Sequence, residues 1–274
     1  MNKIGPIGVF DSGYGGLTVL KEITTKLPQY DYIYLGDNAR APYGSRSFET
    51  VYQYTWQNMQ WFFNQGCNLV ILACNTSSAK ALRTIQQNDL PGANPEKRVL
   101  GVIRPTAEVI GNYSTTKHIG ILGTPGTVQS HSYLIEIHKS FPDVKVHQKA
   151  CPLWVSLIEH GEYKSDGADY YIKKYIDELM AQSSQIDTIL LGCTHYPLIL
   201  DKIRRYTPSN VQIISQGRIV ADSLGDYLHR HPEMEAVCSK NSRLEFYTTD
   251  STIEFDENAI AFFGRQVHSK AAFV

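Results

Sequence analysis

The chain has 274 residues, of which 42% are hydrophobic and 19% are charged, and its formal net charge is -1. These values are typical of a folded globular protein with room for two domains, and they exclude a disordered chain. The near-neutral charge argues against a dedicated nucleic-acid binder, and no stretch approaches the roughly 20 apolar residues that a membrane-spanning helix needs. Since no apolar signal-peptide core precedes the first strand pattern, we expect a cytoplasmic protein.

The first part of the chain alternates short apolar strands with amphipathic helices. The pattern predicts strands at 7–10, 31–35 and 68–73, with helices at 17–27, 48–65 and from about 78. Each strand opens into a turn rich in glycine, threonine, serine or asparagine. Such alternation is typical of a parallel sheet covered by helices on both faces.

The same plan then repeats. Strands are predicted at 98–103, 118–122 and 187–191, with helices near 106, up to about 140 and at 168–180; a strand at 211–214, a helix at 218–228 and a strand at 244–247 follow. We therefore predict an α/β fold of two similar domains, each a mainly parallel sheet flanked by helices, with the active site in the cleft between them. The predicted domains are residues 1–97 plus 211–274, and residues 98–210.

Five cysteines occur, an odd number without CxxC pairs, so neither a disulfide framework nor a structural zinc site is expected. Cys67 and Cys238 are best interpreted as small buried hydrophobic residues. Cys74 and Cys193 differ, because each directly follows an apolar strand and precedes a helix. There the amide groups at the start of the helix favour a thiolate.

Two cysteines in matched positions predict a particular chemistry. One thiolate can remove a proton from one face of a substrate carbon, while the other thiol returns a proton to the opposite face, and this inverts the stereocentre. His195 lies two residues after Cys193 and could hold its proton, Asp11 could do the same for Cys74, and Glu159 is a possible partner for His195.

The residues around these turns suit a small zwitterion. Asn75, Thr76 and Thr194 offer donors for a carboxylate, and Asp11 and Ser12 offer acceptors for an ammonium group. Backbone amides of Tyr43 and Gly44, in the loop after Pro42, could bind a second carboxylate. Thr124 opens the corresponding turn of the second half.

Four segments distributed along the chain carry a family resemblance. They are Gly8-Val-Phe-Asp11-Ser12-Gly13-x-Gly15-Gly16-Leu17, Tyr34-Leu-Gly-Asp37-x-Ala-Arg-x-Pro42-Tyr43-Gly44, Ala73-Cys74-Asn75-Thr76 and Leu191-Gly192-Cys193-Thr194-His195-Tyr196-Pro197-Leu198. Together with Cys151-Pro152-Leu and Glu159 downstream, they resemble the cofactor-independent glutamate racemases of the aspartate/glutamate racemase superfamily.

The resemblance implies interconversion of L- and D-glutamate without pyridoxal phosphate or a metal, supplying D-glutamate for peptidoglycan synthesis and hence for cell-wall biogenesis and cell shape. It implies that Cys74 deprotonates D-glutamate and that Cys193 deprotonates L-glutamate, with Asp11, Glu159 and His195 as auxiliary acid/base groups. It implies homodimers. Related aspartate racemases usually carry Glu at the position of His195, so the histidine favours glutamate.

Three alternatives stay open at this stage. The chain could be a related racemase or isomerase that acts on aspartate or another small acid. It could be a non-catalytic binding protein for a small acidic metabolite, in a cleft of the same shape. A nucleotide-dependent enzyme is the third alternative, although the glycines at 13–16 lack the full GxGxxG spacing and no GxxxxGK occurs.

Overall fold

The computed structural model describes residues 3–274, so residues 1 and 2 of the predicted first domain lie outside it. The strands are β1 (Ile7–Asp11), β2 (Tyr32–Gly36), β3 (Leu69–Leu72), β4 (Arg98–Gly101), β5 (His118–Gly123), β6 (Lys145–Ala150), β7 (Thr188–Gly192), β8 (Gln212–Ile214), β9 (Leu244–Thr248) and β10 (Ser269–Ala271). They form two sheets in which all strand pairs are parallel. The predicted α/β class is confirmed.

Helices cover the two sheets. The α-helices are α1 (Leu17–Lys26), α2 (Phe48–Asn64), α3 (Asn75–Lys80), α4 (Leu82–Thr84), α5 (Leu90–Ala93), α6 (Ile103–Ile110), α7 (Pro125–Gln129), α8 (Ser132–Ser140), α9 (Trp154–Glu159), α10 (Asp166–Met180), α11 (Leu200–Tyr206), α12 (Gly217–Arg230), α13 (Pro232–Glu235) and α14 (Thr252–Phe263). Short 3-10 turns occupy Asn38–Arg40, Gly111–Tyr113, Glu162–Lys164 and Tyr196–Ile199, and a π-helical turn occupies Ile85–Asp89. Within the described part of the chain, no helix has the length and apolar character needed to cross a membrane.

The two sheets share one strand order. The larger sheet runs β10-β9-β2-β1-β3-β4 and the smaller one runs β6-β5-β7-β8. The block β2-β1-β3-β4 therefore matches β6-β5-β7-β8, strand for strand. Cys74 follows the third strand of the first block and Cys193 follows the third strand of the second block, so the two cysteines occupy equivalent sheet positions.

The central strands are buried along their whole length. Every residue of β1, β3 and β7 is buried, as expected for apolar runs covered by helices on both faces. The edge strand β6, which reads Lys-Val-His-Gln-Lys-Ala, is exposed or half-buried throughout. The buried central strands can therefore carry a site at their carboxyl ends, whereas the more exposed β6 closes an edge of its sheet.

Two strands lie in the sheet opposite to the one predicted. Strand β4 pairs with β3 in the six-stranded sheet, and β8 pairs with β7 in the four-stranded sheet. The prediction was wrong here because it placed the domain boundaries before β4 and before β8. Each of these strands is instead the fourth strand of the preceding block. Moreover, α3 begins at Asn75 rather than near residue 78, and the C-terminal α14 and β10 were not predicted.

The chain crosses between the sheets twice. It leaves the larger sheet after Gly101 at the end of β4, and it leaves the smaller sheet after Ile214 at the end of β8. Strands β9 and β10 then extend the larger sheet beyond β2. We propose that the domain boundaries lie at these two crossings, a few residues after the predicted positions.

Candidate active site

One cavity is lined by both cysteine turns. Its empty volume is about 620 Å³, a figure that includes space open to solvent. The lining residues come from loops at the carboxyl ends of strands in both sheets and from helix α9; they are Ser12, Pro42, Tyr43, Gly44, Ser45, Cys74, Asn75, Thr76, Thr124, Pro125, Cys151, Pro152, Val155, Ser156, Glu159, Cys193, Thr194 and His195. Parallel strands place their carboxyl ends at one edge of the sheet, which is why residues distant in sequence meet here.

Cys74 lies at the N-terminus of α3 and caps it. Its Sγ accepts a hydrogen bond from the backbone amide of Ser77 at 3.4 Å and lies 3.6 Å from Oγ of Ser12. Burial and the nearby charge of Asp11 raise the pKa of this thiol, although the Ser77 amide and the Ser12 hydroxyl oppose the shift. The position at the start of a helix favours the thiolate form, but the effect of burial on the pKa is larger. Cys74 therefore rests as a neutral thiol.

Cys193 is backed by a histidine and a carboxylate. Its Sγ lies 3.8 Å from Nδ1 of His195, whose Nε2 lies 2.8 Å from Oε1 of Glu159. Burial by itself lowers the pKa of His195, but hydrogen bonds to Cys193 and Glu159 more than compensate and raise that pKa well above its ordinary value. The imidazole is therefore held protonated beside the sulfur, where it can stabilise a thiolate or share its proton.

Asp11 lies behind the cavity wall. Its carboxylate accepts hydrogen bonds from the backbone amide of Gly13 at 3.0 Å and from Oγ1 of Thr194 at 3.3 Å. Burial raises its pKa, and the charge of His195 and two backbone amides only partly offset this. Among the predicted site residues, Asp11 alone is absent from the described cavity wall, and it is connected to that wall by its hydrogen bond from Thr194.

The loop that carries Tyr43 and Gly44 is anchored beneath the cavity by Asp37. The Asp37 carboxylate, which has no exposed surface, accepts hydrogen bonds from the Tyr43 hydroxyl, from Nε of Arg40 at 2.7 Å and from Nδ2 of Asn58 at 3.0 Å. A buried carboxylate that accepts several hydrogen bonds fixes the direction of the Tyr43 ring and of the backbone that follows it. Asp37 lies within one of the segments that carry the family resemblance, but no role was predicted for it.

Gly44 joins the two halves of the site. Its carbonyl oxygen accepts a hydrogen bond from the backbone amide of Gly126 at 2.8 Å, and a Cβ atom placed on it would lie 2.9 Å from Cβ of Thr124. Nearby, the hydroxyls of Thr76 and Thr124 lie 3.0 Å apart. These contacts connect a turn of the larger sheet directly with one of the smaller sheet, and a Cβ atom at Gly44 would force Thr124 to shift.

Gly15 allows the first turn to approach the second cysteine turn. A Cβ atom on Gly15 would lie 2.3 Å from Oγ1 of Thr194 and 2.4 Å from Nδ1 of His195. On another side of the same ring, Phe262 packs edge-on against His195 with ring centroids 5.4 Å apart. His195 is therefore confined by backbone on one side and by the C-terminal helix on another.

Several residues of the site were missed by sequence analysis. The cavity wall also includes Ser45, Pro125, Cys151, Pro152, Val155 and Ser156. Val155 and Ser156 precede Glu159 by four and three residues in α9, so helical spacing from Glu159 would have found them. Phe262 carries no such signal, because its contact with His195 depends on how the C-terminal segment packs.

No group of three or more His, Cys, Asp or Glu side chains within residues 3–274 is arranged to hold a metal ion. Fold and site together define an α/β enzyme in which acid/base side chains from two parallel sheets line one cavity.

The sequence is similar to those of known racemases. The model of the Asp/Glu/Hydantoin racemase family matches residues 7–224. A glutamate racemase of Roseobacter denitrificans is 39% identical over 276 residues, covering 97% of this chain and 99% of that protein. The chain belongs to the Asp/Glu/Hydantoin racemase family, and it is an isomerase.

Solved structures agree with this assignment. Glutamate racemase isoform RacE1 from Bacillus anthracis has a TM-score of 0.89 with 32% identity, and the match covers 98% of each chain. Glutamate racemase from Francisella tularensis, solved in complex with D-glutamate, has a TM-score of 0.85 with 31% identity over 100% of this chain and 97% of that one. The two-sheet architecture is therefore that of glutamate racemases.

Proposed function

We propose that the chain interconverts L- and D-glutamate by proton transfer between Cys74 and Cys193. The observation that carries the proposal is that both thiols line one cavity, each with its own polar partner. The names of the relatives and the D-glutamate bound to the Francisella tularensis protein support glutamate as the substrate.

In the L-to-D direction, Cys193 acts as the base. Its thiolate, stabilised by the imidazolium of His195, takes the Cα proton of L-glutamate, and the electron pair of the broken C–H bond moves into the α-carboxylate. The neutral thiol of Cys74 then gives its proton to the opposite face of the same carbon. D-glutamate leaves, Cys193 holds a proton, Cys74 is a thiolate, and atoms and charges balance without an oxidant or reductant.

The reverse direction begins from the form that this first passage leaves. Cys74 takes the Cα proton of D-glutamate, and Cys193 returns a proton from the side where His195 and Glu159 lie. Exchange with solvent resets the two thiols between turnovers. The raised pKa of His195 keeps a proton beside Cys193, whereas the raised pKa of Cys74 favours the neutral donor at rest.

Polar groups around the thiols bind the ends of the substrate. We assign the ammonium group to Ser12 with Asp11 behind it, and one carboxylate to Asn75, Thr76 and Thr194. Tyr43 and Gly44 supply backbone amides for the other carboxylate, between Pro42 and the Thr124 turn. This arrangement holds Cα between the sulfurs, and orientation of this kind supplies much of the rate of such a reaction.

In the cell, we propose that the product D-glutamate supplies peptidoglycan synthesis and that the enzyme acts in the cytoplasm as a homodimer. Size measurement in solution by light scattering tests the dimer. A purely monomeric protein over the concentration range of the activity assay would contradict that part of the proposal.

The mechanism is tested by racemisation of L-glutamate in deuterated water. We expect deuterium at Cα of the D-glutamate formed, and loss of about 10³-fold or more in rate for both Cys74→Ser and Cys193→Ser. The matched control is Cys238→Ser, because Cys238 is a buried thiol whose only described hydrogen bond goes to the carbonyl oxygen of Met234. Full turnover in either site variant would rule out the two-thiol mechanism. Preferential turnover of L-aspartate, or binding of glutamate without loss of optical activity, would contradict the proposed substrate or the proposed catalysis.

A further inference from the structure

Tyr133 lies between the two cysteine turns without reaching the cavity. This residue of α8 is fully buried, and its hydroxyl donates a hydrogen bond to Oδ1 of Asn75 at 2.7 Å. Its ring packs against Gly192, where an added Cβ atom would lie 3.3 Å from Cε2 of Tyr133. One side chain therefore contacts the residue after Cys74 and the residue before Cys193.

The contact with Tyr133 determines which end of the Asn75 amide faces the cavity. Asn75 is 2% exposed and lines the cavity, and its carbonyl oxygen is engaged by Tyr133. Its Nδ2 is buried and has no hydrogen-bond partner among the described residues. A buried amide group without a partner is costly, so this NH₂ is suited to donate to a bound substrate.

The Tyr133 hydroxyl is itself held at the place where the chain crosses between the sheets. Nε2 of Gln216 donates hydrogen bonds to the Tyr133 hydroxyl and, at 3.1 Å, to Oγ1 of Thr106. Gln216 directly follows the return crossing after β8, and Thr106 lies in α6 just beyond the first crossing. The four side chains Gln216, Thr106, Tyr133 and Asn75 are all buried, so the chain of hydrogen bonds is shielded from water.

We propose that Tyr133 is a positioning residue for the racemase reaction. By holding the carbonyl oxygen of Asn75, it turns the Asn75 NH₂ group toward a substrate carboxylate, and through Gln216 it ties that contact to both chain crossings. The inference deepens the proposed function, since the carboxylate belongs to the glutamate assigned there. Tyr133 touches no reacting atom, and it acts through Asn75.

The first test is the variant Tyr133→Phe, which keeps the packed ring and removes only the hydroxyl. We expect KM for glutamate to rise about tenfold while kcat stays within about threefold, because one oriented binding contact is weakened and the thiols remain in place. The matched control is Tyr32→Phe, since Tyr32 is equally buried and its hydroxyl donates to the carbonyl oxygen of Leu27. An unchanged KM in Tyr133→Phe, or the same KM rise in Tyr32→Phe, would overturn the proposal.

A double-mutant cycle separates action through Asn75 from a general structural effect. Asn75→Ala alone is expected to raise KM by at least as much as Tyr133→Phe, and the double variant should have the KM of Asn75→Ala. If the two effects multiply, Tyr133 does not act through Asn75 and the proposal is wrong. If Asn75→Ala leaves KM unchanged, the assignment of Asn75 to the substrate fails as well.

The positioning can also be measured without turnover. In the protein labelled with ¹⁵N, the side-chain amide of Asn75, assigned by its loss in Asn75→Ala, should give one sharp pair of signals. These signals should broaden or move in Tyr133→Phe and Gln216→Leu but not in Tyr32→Phe. A wild type inactive on glutamate that shows this pattern would contradict the proposed function alone, whereas signals indifferent to Tyr133→Phe would contradict the positioning role alone.

Discussion

Nε2 of His195 lies 2.8 Å from Oε1 of Glu159, on the opposite side of the imidazole from the nitrogen that faces the sulfur of Cys193. The His195 side chain is 4% exposed and that of Glu159 is 16% exposed, so the carboxylate acts on the ring in a poorly solvated place. The pair gives Cys193 a fixed proton partner, whereas the neighbours of the Cys74 thiol are the side chain of Ser12, Ser77 and the nearby Asp11. The two thiols are thus chemically unequal.

Glu159→Gln is expected to lower kcat/KM by about 10- to 100-fold, since a neutral amide stabilises the imidazolium less than a carboxylate does. Without the charge of Glu159, less would compensate for burial, and the pKa of His195 would fall. The proton beside Cys193 should be lost at lower pH, and the alkaline limb of the kcat/KM profile should move to lower pH. Rate measurements between pH 6 and 10 test this, and a profile unchanged in position would contradict the role of Glu159.

Gly15→Ala is expected to reduce activity by about 100-fold or more, because displacement of catalytic groups by about 1 Å is enough for such a loss. The new methyl group would overlap Thr194 and His195. The control is Gly225→Ala in α12, where an added Cβ atom would lie 3.6 Å from its nearest neighbour, Cδ2 of Leu27. This variant should stabilise the fold by up to about 1 kcal/mol. Near-normal kcat for Gly15→Ala would show that the turn can move aside.

Asp37→Asn is expected to destabilise the protein by about 3 kcal/mol, because it removes one partner of a buried ion pair and places an NH₂ group against hydrogen-bond donors. Tyr43→Phe, which removes one of these donors, should cost about 1 kcal/mol. Urea unfolding measures both values. The control Asp222→Asn breaks an exposed pair with Lys26 and should change stability by less than about 1 kcal/mol, and equal losses for Asp37→Asn and Asp222→Asn would contradict the anchoring role of Asp37.

Asp187 makes stability depend on pH at the start of β7. Burial would raise the pKa of this carboxylate, but the Ser114 hydroxyl and the amides of Thr115 and Thr116 lower it well below its ordinary value. Since the folded-state pKa is depressed, its contribution is fully present above about pH 4 and is lost as pH falls through the folded-state value.

The variant Asp187→Asn should therefore be less stable than the wild type by about 2 kcal/mol at pH 7, with the difference narrowing below about pH 4. Thermal unfolding at several pH values between 2.5 and 7 measures the difference. A constant difference over this range would show that the charge of Asp187 contributes nothing.

Local sequence was sufficient for the strands that carry the site. The apolar runs before Cys74 and Cys193 predicted buried parallel strands, since only strands covered on both faces are apolar at every position. The repeated order of turns also predicted that the cysteines occupy matched places, and the strand orders of the two sheets agree with this. The same patterns could not assign β4 and β8 to a sheet, because a short apolar strand fits either partner equally well.

Residue types at short spacing are enough to predict the α/β class, the two cysteine turns and, by resemblance, the racemase family. The packing of the folded chain, by contrast, brings Glu159 against His195, lets Asp37 anchor Tyr43, places Phe262 against the His195 ring and sets Tyr133 beside both cysteine turns. Asp37 and Tyr43 are six residues apart in the chain. Each of the other contacts joins residues that are distant in the chain or lie on separate elements. Their distances are set by how buried side chains pack and by which polar groups must find partners, and no local pattern records either condition.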